Sequence, residues 1–144
     1  MDSATMAKVL TTAKIENFVD VAARESGQLP ADQVRTLVVD DALVDTGATM
    51  LLLPARHIEQ LGLQHFRTRA ARGVGEGVSM RMFSAVRLTI GDREAVMDVG
   101  EIADDLPVLI GQVPLELLDF VVDPRNQRLI PNPEHGGQHI IEAY

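Results

Sequence analysis

Residues 42–53 read Ala-Leu-Val-Asp-Thr-Gly-Ala-Thr-Met-Leu-Leu-Leu, two apolar runs that meet at a turn holding a single acid. Short apolar runs bounded by turn residues are the pattern of buried strands, so Asp45 is delivered from the interior of a sheet into a tight reversal. A carboxylate in such surroundings is costly unless it is hydrogen-bonded or put to use. Gly47 has no Cβ, which lets backbone come close to it, and the Thr46 hydroxyl can donate and accept at once. A chain with this segment has to build strands on both sides of it, and the acid between them has the setting that acid/base chemistry needs.

A second segment has the same character. Val108-Leu109-Ile110-Gly111 is a short apolar strand ending in glycine, followed by the helix-like QVPLELLD of residues 112–119 and the strand-like Phe120-Val121-Val122-Asp123. Together with LVDTGAT (residues 43–49), this block resembles the retroviral-type, or retropepsin-like, aspartic proteases, and among them the small bacterial single-domain members. The likeness runs from about Val34 to Ile130, with a flap-sized segment between the two blocks. It implies an all-β fold: a closed retropepsin-like β-barrel with one or two short helices and a glycine-rich flap hairpin.

The resemblance also implies a reaction. Peptide hydrolysis needs a base to activate water and an acid to protonate the leaving nitrogen. Two carboxyls held about 3 Å apart share one proton and do both. The chain contains one Asp-Thr-Gly, so the second aspartate has to come from a second copy, and a twofold axis would set Asp45 against its equivalent in a homodimer. By the same resemblance, Thr46 bonds to its copy across the axis. Gly47 brings its N–H to the carboxylate, and Ala48 lines the floor of the cleft. Leu109, Ile110 and Gly111 support the turn from behind, and Gly73, Val74, Gly75, Glu76 and Gly77 form the flap that closes over a peptide. The tip of that flap falls at residues 71–73 or at residues 74–77. Retroviral enzymes pair an arginine after the later glycine with an aspartate shortly after Asp-Thr-Gly. Here those positions are Gln112 and Thr49, so both halves of the pair are absent together and no charge is orphaned. The competing reading is a protease-like module that binds extended peptides and cuts none of them, since fold alone does not fix function.

Length and charge narrow the partners. The 144 residues suit one domain, with residues 1–33 giving N-terminal strands and a loop and residues 134–144 a tail able to serve as a dimer-interface strand. At 3% aromatic, the core has to be made of aliphatic side chains. A net charge of −8 disfavours nucleic acid and anionic membranes as partners. No apolar run reaches membrane-spanning length, the opening MDSATMAK lacks the features of a secretory signal, and zero cysteines fit a reducing compartment. The cytoplasm is the expected location, a peptide or protein the expected substrate, and no cofactor is expected.

Along the chain, Val9, Thr11, Ala13 and Ile15 alternate as in a strand, which residues 17–24 extend. Residues 25–30 read as a loop. Asp40-Asp41 reads as a turn ahead of the strand that delivers Asp45. Residues 55–61 form a short helix after Pro54, closed by Gly62, and residues 114–118 a second one starting at proline. From Val78 the period of two puts Val78, Met80, Met82, Val86, Leu88 and Ile90 on one face of a strand. Gly91-Asp92 turns it into a partner strand over residues 94–102, and residues 120–123 and 128–130 make a last strand pair. Val44, Leu53, Val74, Val108 and Ile110 are the expected wall of the cleft.

Other motifs point to less. The glycines of residues 73–77 lack the lysine of a phosphate-binding loop and precede a strand rather than a helix. Arg67, Arg69, Arg72 and Arg81 read as a solvated basic face. His57, His65, His135 and His139 form no metal cluster: the spacing of His135 and His139 suits one helix face, but Gly136-Gly137 between them argue against a helix, so no metal site is expected.

Overall fold

A computed structural model describes residues 8–72 and 77–140. Seven strands form one sheet: β1 (Val9–Asn17), β2 (Thr36–Val44), β3 (Leu51–Pro54), β4 (Gln64–Ala71), β5 (Val78–Ile90), β6 (Arg93–Ile102) and β7 (Leu109–Ile110). They run in the order β1-β2-β7-β3-β6-β5-β4, and β1 also pairs with β5, which closes a six-stranded barrel with β4 outside it as the edge strand. β8 (Phe120–Asp123) and β9 (Arg128–Pro131) form a separate antiparallel hairpin. The fold is the expected all-β barrel, with three short helices among the described residues: α1 (Phe18–Glu25), α2 (Ala55–Leu61) and α3 (Gln112–Leu118).

Alternation along each strand assigns one face to the barrel interior. Ile15, Leu51, Leu53, Val86, Leu88, Val99 and Ile110 are all fully buried there, and Phe83 is the one aromatic among the buried core residues. An aliphatic core therefore carries the fold, each such side chain contributing roughly 1.5–3 kcal/mol by leaving water.

Four local expectations change. Residues 17–24 do not prolong β1; they turn into α1, because the Asn17 side chain accepts from the Asp20 N–H at 3.1 Å and caps a helix. The Asn17 amide also donates to Leu61 O at 2.8 Å, tying this turn to the end of α2. Asp40-Asp41 is no turn but a bulge within a continuous β2. Thr11 faces Ala42 while Ala13 faces Val39, so two acids stand opposite Thr12 and keep both carboxylates in water. α3 begins at Gln112, with Pro114 still in the first turn, where no intrahelical bond is lost. Finally, β5 does not keep one face throughout. Its register with β6 shifts between Phe83 and Val86, so Val86, Leu88 and Ile90 point into the core while Met80 and Met82 lie on the opposite face of the strand, Met80 half-buried and Met82 buried. A single bulge moves every later side chain to the opposite face.

Residues 132–140 are fastened to the barrel's own flank. Arg93, buried on β6, donates to Leu118 O, Asp119 O and Gly137 O at 3.0, 2.7 and 2.8 Å. Asp119, which leaves α3 with φ 59°, accepts from Asn132 Nδ2 at 3.2 Å and from the Ile140 N–H at 3.1 Å, and lies 2.6 Å from His135 Nδ1. His139 Nε2 donates to Leu117 O at 2.8 Å. Gln138, His139 and Ile140 hold no strand; they are coil bonded to their own chain, and residues 141–144 lie outside the described residues.

Burial alone would push the Asp119 carboxyl up, but the bonds from His135, Ile140 and Asn132 outweigh it and hold it at about 2. Its ordinary value is 3.8, so the unfolded chain takes up this proton first as pH falls. The stabilisation is complete above about pH 4–5 and disappears as pH drops through about 2. Urea midpoints measured from pH 6 to pH 2 are expected to fall over that window, and Asp119→Asn is expected to flatten that part of the curve.

Candidate active site

Asp45 stands at the C-terminal end of β2, where the ladder is still intact: Leu43 N–H donates to Val108 O at 2.8 Å and Asp45 N–H to Ile110 O at 2.9 Å. The chain then turns sharply, with Ala48 N–H donating to Asp45 O at 3.0 Å and Gly47 N–H to Asp45 Oδ1 at 3.0 Å. Asp45 and Ala48 are half-buried, and Thr46 and Gly47 are exposed. One carboxylate oxygen is thus fixed by backbone, and the other makes no hydrogen bond among the described residues.

The segment after β7 grips this turn from behind. Gly111 N–H donates to Met50 O at 3.0 Å, Gln112 N–H to Ala48 O at 2.9 Å and Val113 N–H to Thr49 O at 2.8 Å. A Cβ on Gly111 would lie 2.6 Å from Met50 O and 2.7 Å from both Ala48 O and Met50 N. Glycine is required there by close approach of backbone, since φ is an ordinary −86°. Ile110 is fully buried and Leu109 half-buried, directly beside the turn.

Strand register sorts the side chains around Asp45 into two rows. Val44, Ile110, Leu51, Val99 and Phe83 are successive partners across β2, β7, β3, β6 and β5, and this row faces the core. The neighbouring row, Leu43, Leu109, Leu52, Gly100 and Met82, faces the other way. Asp45 is two residues past Leu43 and so shares its face. A Cβ on Gly100 would meet Met80 Sδ at 2.4 Å and Leu52 Cδ2 at 2.9 Å, so Met80 and Leu52 converge over that glycine. Of the expected wall residues, Leu53, Val108 and Ile110 are buried in the core, Val44 packs against it, and Val74 lies outside the described residues. The apolar surface on Asp45's face is made instead by Leu43, Leu52, Leu109 and Met80. Parity counted back from Asp45 singles out Leu43 in the sequence; Leu109, Leu52 and Met80 join it only through the strand register and the contact at Gly100.

β4 and β5 form the two arms of the expected flap hairpin. Gly73, Val74, Gly75 and Glu76 lie outside the described residues, and Gly77 is exposed at the foot of β5 with open space around it. A cavity of about 630 Å³ lies on the far side of these arms, between Arg81, Phe83 and Glu101 and the α2 residues Ile58 and Glu59. It does not include Asp45. Among the described residues, no group of three or more His, Cys, Asp or Glu is arranged to hold a metal ion.

A closed β-barrel that presents one acid from a backbone-braced turn and carries a two-stranded arm in the same sheet is an acid-protease type of architecture. A family model described as aspartyl protease matches residues 27–116, which is more than half of the chain and includes the Asp45 turn, both hairpin arms and Gly111. The chain belongs to that aspartyl protease family, which is retropepsin-like. Comparison with curated proteins gives no match. No helix among the described residues is long and apolar enough to cross a membrane.

Proposed function

We propose that the protein is an aspartic endopeptidase that acts as a homodimer, with the two Asp45 carboxyls sharing a proton across a twofold axis. The observation that carries this reading is the presentation of Asp45: one oxygen fixed by Gly47 N–H at 3.0 Å, the other open, in a turn whose Thr46 and Gly47 are exposed to an approaching copy. In the pair, the ionised carboxyl takes a proton from water as it attacks the peptide carbonyl, and the protonated one passes its proton to the leaving nitrogen. The two groups titrate as a unit.

Other residues have supporting parts. Thr46 braces one turn against its copy, and Ala48 lies on the floor. Leu109 and Ile110 support the turn as the β7 strand beside it, Ile110 O accepting from Asp45 N–H, and Gly111 bonds to Met50 O. The role we propose for the flap expected at Gly73, Val74, Gly75, Glu76 and Gly77 is to close over an extended peptide and exclude water. Leu43, Leu52, Leu109 and Met80 receive apolar side chains on either side of the scissile bond. The chemistry uses carboxyls and water and calls for no cofactor, and the cytoplasm is the location we propose.

Because each protomer supplies half of the dyad, activity has to follow association. Specific activity is expected to fall steeply on dilution through the dimer dissociation constant measured by sedimentation. A strictly monomeric protein that still hydrolyses peptides overturns the shared-proton mechanism. A verified dimer that binds peptides and cuts none from pH 4 to 6 makes the protein a binding module instead.

A further inference from the structure

The outward row that begins at Leu43 does not end at Met82. Its next register partner, on β4, is Arg67, and Arg69 stands opposite Met80 in the same way. Arg81 is on the other face of the hairpin, opposite Thr68, where it bonds to Glu101 at 3.4 Å and lies 5.1 Å over the Phe83 ring. The pleat therefore divides the basic cluster of the sequence: Arg67 and Arg69 go to Asp45's side, and Arg81 to the opposite one.

Arg67 and Arg69 are exposed, and neither pairs with a carboxylate among the described residues; Arg67 lies only over the adjacent Phe66 ring, at 6.0 Å. By contrast Arg24, Arg35, Arg56, Arg81, Arg87 and Arg128 each have an acidic partner. In a chain of net charge −8, two neighbouring guanidiniums that pair with no carboxylate among the described residues form a local positive patch on the β4 strand, apart from Asp45 and Asp98 on the same face. Guanidiniums bind carboxylates in a bidentate fashion that fixes position as well as charge.

The distances suit a peptide. Arg67 is five strand spacings from Leu43, at most about 24 Å along the sheet, and an extended chain advances about 3.4 Å per residue. Roughly seven peptide residues cover that path, fewer where the sheet curls. We propose that Arg67 and Arg69 select substrates with carboxylates several residues from the scissile bond, flanking apolar side chains that rest on the leucine and methionine floor. The twofold copy places an equivalent pair on the other side of the bond. The proposal rests on the endopeptidase reading and adds the substrate class to it.

The test uses full-length protein and peptides with one central apolar cleavage pair, carrying Glu or Gln three to six residues away on both sides. At pH 5.5 those glutamates are ionised. Wild type is expected to cut the Glu peptide roughly three- to ten-fold faster in kcat/KM, the size of two exposed ion pairs. In Arg67→Gln/Arg69→Gln that ratio is expected to fall to about one, while Arg81→Gln on the opposite face keeps it. The preference should also shrink in high salt. A wild-type ratio of one, or a ratio that survives the double substitution, overturns the proposal and leaves the arginines as protection of the β4 edge. Binding of the same two peptides to Asp45→Asn separates the two readings. If nothing is cut but the Glu peptide still binds tighter through Arg67 and Arg69, the endopeptidase reading fails and the selectivity stands.

Discussion

Asp45→Asn is expected to abolish proteolysis while leaving the fold and peptide binding intact. The substitution changes one atom at a half-exposed position. The asparagine Oδ1 can still accept from the Gly47 N–H that now lies at 3.0 Å, so the turn keeps its brace and thermal melting should move by less than ~0.5 kcal/mol, as for surface changes generally. What disappears is the proton. An amide cannot take one from water or pass one to a leaving nitrogen, and positioned acid/base groups contribute about 10²- to 10⁴-fold. In a homodimer both halves of the dyad are lost together, so the decrease in kcat should lie at or beyond the upper end of that range. Cleavage of a peptide library at pH 4–6, with peptide affinity measured alongside, checks this. Cleavage by the variant at near wild-type rates would remove Asp45 from the chemistry.

Gly111→Ala is expected to damage stability and activity together. The new methyl would meet Met50 O at 2.6 Å and Ala48 O and Met50 N at 2.7 Å. These are backbone atoms on three sides, and none can rotate away as a side chain does. Relief requires moving residues 48–50 off residues 111–113, which stretches the three bonds of 2.8–3.0 Å that hold the Asp45 turn. Overpacking in a tight interior typically costs ~1–3 kcal/mol, and a rigid backbone cage puts this site at the top of that range or above it. Urea unfolding should show the loss as a lower midpoint at unchanged slope. Gly47→Ala is the milder comparison, because its Cβ would meet a single atom, Asp45 Oδ1, at 3.2 Å. A Gly111→Ala protein as stable as wild type would mean that the turn is not gripped from behind.

Much of the barrel could be read from the residues, because apolar alternation and the turn signals at Gly62 and Gly91 are local. The Asp45 turn and the Val108–Gly111 block were legible in the same way, each carrying its own motif. Three things were not. Asn17 has both the extended pattern before it and a side chain able to cap, and its bonds to the Asp20 N–H and to Leu61 O go with a helix start there. The bulges at Asp40-Asp41 and at Ser84-Ala85 show only in the partner strands, and the second one moves Met80 and Met82 from the core face to the site face. The expected cleft wall of Val44, Leu53, Val74, Val108 and Ile110 takes apolar character as its guide, and Leu53, Val108 and Ile110 are core residues. A strand shows one face to the core, so on β2 the residue that shares Asp45's face is the one at even spacing, Leu43.

The bonds between residues 48–50 and residues 111–113 join parts of the chain made more than sixty positions apart. Contacts at such separation are late in folding, since the intervening loop must close first. A nascent chain that stops short of Val113 therefore lacks part of the brace behind Asp45, and the turn is completed only once both segments have left the ribosome.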